Sequence, residues 1–211
     1  MANFKSTYRD FSRIAVPYFR SEDRWAGRVL LASVISLQLF QVWLNVQFNS
    51  WYNTFYTALQ NKDWNTFIYQ IGVFSVLAAF FIVSAVYQLY LQQWLTIRWR
   101  HWLTNRYLGR WLDQSTHYRM RLKGDQADNP DQRIADDVRE FIENTLNIGI
   151  GLLGSIVTLV SFVWILWTLS AATPLMIGSS TFQIPGYLVW AALIYAIFGT
   201  WVTHLVGRPL I

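Results

Sequence analysis

Uncharged apolar stretches divide the chain into four candidate membrane spans. Each stretch holds at least about twenty residues, which is enough for a helix to cross ~30 Å of hydrocarbon at 1.5 Å per residue. The predicted spans are TM1 at 29–48, TM2 at 67–95, TM3 at 145–169 and TM4 at 186–207. The pattern therefore predicts an all-α membrane protein with four transmembrane helices. Residues 49–67, rich in Asn and aromatic residues, are predicted as a short interfacial link, and 170–185, with two prolines, as a loop.

A polar segment, residues 96–144, separates TM2 from TM3 and carries nine of the seventeen basic residues and eight of the twelve acidic ones. Within it, Asn129 suits an N-cap, Pro130 the first helical position and Gln132 the third, which is a capping-box arrangement. A helix that starts there runs directly into TM3, and Thr96–Arg121 extends TM2 in the same way. The segment is therefore predicted to be a helical hairpin that stands roughly 25–35 Å out of the membrane.

Charge placement predicts the topology. Residues 1–28, called the lead below, place Phe4, Tyr8, Phe11 and Ala15 at helical spacing between basic residues, a pattern typical of an amphipathic helix in the membrane interface. With four spans, sixteen of the seventeen basic residues lie on one side of the membrane. The positive-inside rule makes that side cytoplasmic and places both ends of the chain there. The net charge of +5 then reflects topology, and nothing indicates a nucleic-acid partner.

Composition agrees with a bilayer protein, since apolar residues make up 54% of the chain, charged residues 14%, and there are 12 Trp. There is no cysteine, the three histidines are far apart, and no G-x-x-x-x-G-K-[ST] occurs. The chain is thus predicted to hold no catalytic, cofactor-binding or metal-ligating residues. Gly149, Gly151 and Gly154 match G-x-G-x-x-G, but inside a span small residues indicate close helix packing.

One face of TM1 is polar, with Gln38, Gln41, Asn45 and Asn49 at positions i, i+3, i+7 and i+11. Two interpretations stay open. The four side chains either form hydrogen bonds between helices of a bundle or line a polar translocation path. Both interpretations turn this face away from lipid.

Three segments in order, WLNVQFNSWYNTFYTALQNKDW, WLTIRWRHWLTNRYLGRW and DNPDQRIADDV, resemble signature segments of the SbmA/BacA-like and YddA-like transporters, which are related to the subfamily D ABC half-transporters. The resemblance covers nearly the whole chain after the lead and implies part of the six-helix membrane domain of an ABC exporter, in a bacterial inner membrane, working as a homodimer. It implies that Gly124–Arg133 holds the first coupling helix and that the contacts with a nucleotide-binding domain come from a set of seven residues. These are Asp128, Asn129, Pro130, Asp131, Gln132, Arg133 and Asp136.

The resemblance further implies that the full-length protein adds two spans and an ATPase domain that binds ATP and Mg²⁺, so that residues 1–211 are a fragment. The expected function is ATP-driven movement of a peptide-like or other amphipathic substrate. A proton-coupled SbmA/BacA-like uptake protein and a non-transporting membrane scaffold are the alternatives. Proton coupling is disfavoured because the four spans contain no Asp, Glu, Lys or Arg, and because Leu146 stands where the SbmA-like branch has a carboxylate.

Overall fold

The computed structural model describes residues 4–113, 130–173, 175–177, 180–182 and 184–208. Five helices and one short hairpin make up this part of the chain, and a 3-10 turn at Tyr18–Arg20 follows the first helix. The elements are α1 (Phe4–Ala15), α2 (Arg24–Gln60), α3 (Trp64–Leu112), α4 (Pro130–Ala172), β1 (Leu175–Ile177), β2 (Ser180–Phe182) and α5 (Tyr187–Gly207). The chain divides into two compact units, Met1–Gly154 and Ser155–Ile211, with the boundary inside α4.

Helices α2, α3, α4 and α5 are each long and apolar enough to cross a membrane. They contain the four predicted spans, so the prediction of an all-α membrane protein is confirmed. Three of them are much longer than a bilayer requires, with 37 residues in α2, 49 in α3 and 43 in α4. The surplus in α3 and α4 falls on the polar segment, as the hairpin prediction requires, and its predicted tip lies outside the described residues.

The predicted interfacial link is much shorter than expected, because α2 continues to Gln60 and only residues 61–63 turn the chain into α3. Aromatic packing holds this end helical: the Trp51 ring stacks on Phe55 at 4.9 Å, and its indole Nε1 donates to the carbonyl oxygen of Gln70 at 2.8 Å. Lys62 takes a positive φ of 54° in the turn, and Asp63 caps α3. These contacts keep α2 helical up to Gln60, although the Asn-rich sequence there indicates a link between helices.

The second unit corrects the prediction of a loop at 170–185. Helix α4 continues to Ala172, and β1 and β2 then pair antiparallel, with Leu175 opposite Phe182 and Ile177 opposite Ser180. Gly186 begins α5 with a φ of 70° while its Cα faces the Trp167 ring, so a side chain fits neither the backbone nor the space. Two strands of three residues leave the fold class unchanged.

The core of the first unit lies where the lead meets the polar ends of α3 and α4. Rows of buried residues at four-residue spacing face each other across it. The α3 row is Leu95, Trp99 and Leu103, and the α4 row is Val138, Ile142, Leu146 and Ile150. Tyr18 of the 3-10 turn is fully buried against them. The lead and the two extensions therefore share one buried cluster.

Candidate functional site

Polar side chains connect the helices of the first unit within the apolar region. Gln41 of α2 donates from Nε2 to the Oε1 of Gln88 on α3 at 2.5 Å, and Gln88 donates in turn to the Oε1 of Gln38 at 2.7 Å. We call Gln38, Gln41 and Gln88 the glutamine cluster. Each amide in it has a partner, which matters because an unpaired amide in hydrocarbon costs several kcal/mol.

Helix α4 reaches the glutamine cluster through Gly154. A Cβ at this position would collide with the Nε2 of Gln38, so a larger residue here would require the Gln38 side chain to move. Among the described residues, nothing lies within 4 Å of such a Cβ at Gly149 or Gly151, so the structure shows the predicted close packing at Gly154. Further along, Gln92 of α3 donates to the Oδ1 of Asn147 on α4 at 2.8 Å. Three helices are therefore joined by polar contacts that the apolar surroundings strengthen.

The predicted polar face of TM1 divides into two parts in the structure. Gln38 and Gln41 point to α3 and take part in hydrogen bonds between helices. Asn45 and Asn49 are exposed on the surface of α2. The first pair fits the bundle interpretation, and only the second pair is available to line a path, which stays a prediction.

The lead packs onto the extensions through aromatic rings. Tyr18 stacks on Trp99 with ring centroids 5.5 Å apart and an angle of 11° between the planes. Phe141 of α4 contacts Trp99 from the other side at 6.3 Å and Phe11 of α1 at 5.8 Å. The lead is therefore bound to the extensions by buried aromatic surface, beyond the interfacial role that its sequence pattern predicts.

A charged contact closes the same junction. Both oxygens of Asp23, just before α2, accept hydrogen bonds from the Arg98 guanidinium, one of them from Nε at 2.9 Å. The Tyr18 hydroxyl donates to Asp23 at 3.2 Å. The hydrogen bonds from Arg98 hold the pKa of Asp23 below its usual range. Burial and the neighbouring carboxylate raise the pKa of Tyr18 from near 10 to about 12.

The predicted coupling residues lie at the start of α4, which begins at Pro130, the residue that the sequence indicates. Asp128 and Asn129 lie outside the described residues, and Asp131 is in the first turn of the helix. Gln132, Arg133 and Asp136 are exposed, and Asp136 lies 3.8 Å from Arg139 in a half-exposed ion pair worth little by itself. The exposed surface leaves room for a partner.

ATP and Mg²⁺ do not fit this part of the molecule. Among the described residues, no three of His, Asp and Glu come together in a way that could hold a metal ion. The sequence also lacks a phosphate-binding G-x-x-x-x-G-K-[ST] motif.

Comparison with known proteins gives the family. The model for "ABC transporter transmembrane region 2" matches residues 14–211. The chain belongs to this family of ABC transporter membrane domains. It is 35% identical over 184 residues to the inner membrane ABC transporter ATP-binding protein YddA of Escherichia coli, covering 86% of this chain and 32% of that protein.

Two further relatives support this ABC transporter membership. The chain is 32% identical over 210 residues to the chloroplastic ABC transporter D family member 2 of Arabidopsis thaliana, covering all of this chain and 28% of that protein. An uncharacterized ABC transporter ATP-binding protein of Haemophilus influenzae is 31% identical over 178 residues, covering 84% of this chain and 29% of its own length. The chain thus spans about a third of the length of these relatives.

Sequence reasoning missed the partners of two residues. Gln88 forms hydrogen bonds with both glutamines of α2. The sequence placed Gln88 within TM2 but did not indicate these partners. The contact between Asp23 and Arg98 joins residues 75 positions apart, and no local pattern announces it. The available signal was that Arg98 directly follows a long uncharged stretch, where an unpaired charge is costly.

Proposed function

We propose that this chain is the membrane-spanning part of an ATP-driven ABC transporter that moves a peptide-like or other amphipathic substrate across a bacterial inner membrane. The complete protein works as a homodimer, and a nucleotide-binding domain contacts the start of α4. Family membership supports this proposal, since membrane domains of ABC transporters pair with nucleotide-binding domains. The chain supplies the membrane path and the docking surface, and the partner domain supplies the nucleotide site.

One observation carries the proposal. Helix α4 runs without a break from the exposed residues at Gln132, Arg133 and Asp136 to Asn147 and Gly154, which contact α3 and α2. The distance from Arg133 to Asn147 along this helix is about 21 Å. Because α3 packs on α4 through the buried rows, a force applied at the start of α4 moves both helices together. That is what coupling by a partner outside the membrane requires.

The coupling proposal is tested with the complete protein in proteoliposomes. Asp136→Ala is expected to reduce ATP-dependent substrate uptake or release at least tenfold while ATP hydrolysis by the partner domain persists. Glu143→Ala is the matched control, because Glu143 is an equally exposed carboxylate of α4 that lies two turns closer to the membrane. Transport that continues without ATP and collapses when an uncoupler is added would reject ATP coupling in favour of the proton-driven alternative.

The translocation path is tested separately. Asn45→Leu combined with Asn49→Leu leaves the glutamine cluster intact and removes only the exposed amides of α2. Substrate flux is expected to fall while ATP hydrolysis remains. Ser36→Leu is the control, since Ser36 is exposed on the same helix about two and a half turns before Asn45 and therefore on the opposite side of the helix. Equal flux in both variants would show that this face does not line the path, and a complete protein without any flux would indicate a scaffold.

A further inference from the structure

A groove of about 840 Å³ lies along α3, beside the contact between Asp23 and Arg98. Its walls are Asp23, Ile97, Arg98, His101, Trp102, Asn105 and Arg106. The groove begins where the uncharged part of α3 ends, since Arg98 is the first charged residue after Asp63. It therefore lies where the hydrocarbon of a bilayer gives way to the headgroups.

Charge in the groove is unbalanced. Arg98 is neutralised by Asp23, the single carboxylate among the groove residues. Arg106 has no carboxylate within ion-pair distance in the part of the chain that the structure describes. The Arg106 guanidinium lies over the Trp102 ring, 5.1 Å from its centroid, one turn back toward the membrane. A side chain that reaches back along the helix places its cation at headgroup level.

The surface that leads into the groove is apolar. Tyr90, Trp94 and Ile97 recur at four- and three-residue spacing on α3, so they form one stripe that continues into His101 and Asn105. These three apolar side chains are 60%, 44% and 66% exposed. His101 and Asn105 contact each other at 3.1 Å and present polar atoms beside Arg106. The apolar stripe matches the acyl chains of a phospholipid, and the Arg106 cation beyond it matches the phosphate.

We propose that this stripe and groove of α3 bind an anionic phospholipid, with an acyl chain along Tyr90, Trp94 and Ile97 and the phosphate beside His101, Asn105 and Arg106. The phosphate accepts hydrogen bonds from the guanidinium and the Asn105 amide, which satisfies the unpaired cation. A zwitterionic lipid offers the same tails but cancels its own charge, so the groove selects anionic headgroups. This site depends on the membrane placement of α3 and not on ATP coupling.

The test is lipid binding to the complete, purified protein, measured by native mass spectrometry with phosphatidylglycerol and with phosphatidylcholine of the same acyl chains. Arg106→Gln is expected to lower the affinity for phosphatidylglycerol about fivefold and to leave phosphatidylcholine unchanged. Arg100→Gln is the matched control, because it removes one exposed arginine of the same helix from outside the groove. Glycerol phosphate, which lacks tails, is not expected to compete at millimolar concentration.

Three results would overturn the proposal. Equal losses in Arg106→Gln and Arg100→Gln would mean that lipid follows overall surface charge. Displacement by glycerol phosphate would mean that the groove takes a soluble phosphate and the apolar stripe contributes nothing. Unchanged lipid binding in Arg106→Gln, together with weaker association between copies or with the partner domain, would mean that the groove is a protein interface. Circular dichroism of each variant checks that the helices are intact.

Discussion

Tyr18 contributes strongly to docking of the lead onto α3, and its removal gives a quantitative test of that contact. Tyr18 is fully buried, stacks on Trp99 and lies 5.7 Å from the Trp102 ring. Truncation of a buried aromatic side chain to alanine costs about 3–5 kcal/mol, and the lower value applies where the surroundings can relax, as at the edge of this core. At 1.4 kcal/mol per factor of ten, 3 kcal/mol raises the population of the undocked lead roughly 100-fold.

The absence of cysteine from the chain makes that population measurable. Ala15, the last residue of α1 in the lead, is 6% exposed in the docked state, so a thiol introduced by Ala15→Cys reacts with a maleimide only when the lead opens. Under conditions where closing is faster than reaction, the labelling rate follows the opening equilibrium. Tyr18→Ala is expected to accelerate labelling roughly 100-fold. Tyr18→Phe loses only the 3.2 Å hydrogen bond to Asp23 and is expected to accelerate it about fivefold.

Tyr8→Ala is the matched control, since Tyr8 is a tyrosine of the lead too, in α1, and is 67% exposed. It removes as many atoms as Tyr18→Ala without opening a cavity, so labelling is expected to stay at the level of the parent protein. If Tyr18→Ala labels no faster than Tyr8→Ala, the aromatic contact does not hold the lead and the reasoning fails. A change in the circular dichroism of Tyr18→Ala would instead indicate loss of the helices themselves.

Three further predictions concern the pKa of Tyr18, the contact at Gly154 and the cap of α3. Because the pKa of Tyr18 is raised to about 12, docking is expected to weaken as pH rises from 10 toward 12, and Tyr18→Phe to abolish this loss in the labelling assay. Gly154→Ala displaces Gln38, so its thermal stability in detergent is expected to fall about 1 kcal/mol below that of Gly151→Ala; equal values would contradict the close approach. Asp63→Ala removes the cap of α3 and is expected to lower the thermal midpoint of unfolding in detergent, whereas Asp63→Asn is expected to keep most of the parent value.

Hydrophobic patterning was sufficient to predict the spans, because a bilayer demands the same length of uncharged helix whatever surrounds it. The capping residues also predicted that α4 starts at Pro130, because a helix cap depends on a few neighbouring residues. Patterning failed at residues 49–67, where the Trp51 contacts extend α2, and at β1 and β2, where the two prolines and the absence of charge indicated a loop. The first error concerns a contact between two helices, and the second a local strand pairing that the prolines concealed.

The candidate site divides in the same way. The sequence identified the polar face of α2 and the start of α4, but it left open which amides pair and which stay exposed. Only the packing of α3 against α2 decided that Gln38 and Gln41 share Gln88 while Asn45 and Asn49 do not. The contacts of the lead with Trp99 and Arg98 were equally beyond local pattern.

The sequence by itself thus determined the membrane class, the number of spans in this chain and the position of the polar segment. These follow from the local cost of placing charge in hydrocarbon. The tertiary structure decided which helix each polar group contacts, because a hydrogen bond or ring contact between residues 50 or 75 positions apart depends on how the helices pack. That packing therefore decides which partners the lead, the glutamine cluster and the α3 groove contact.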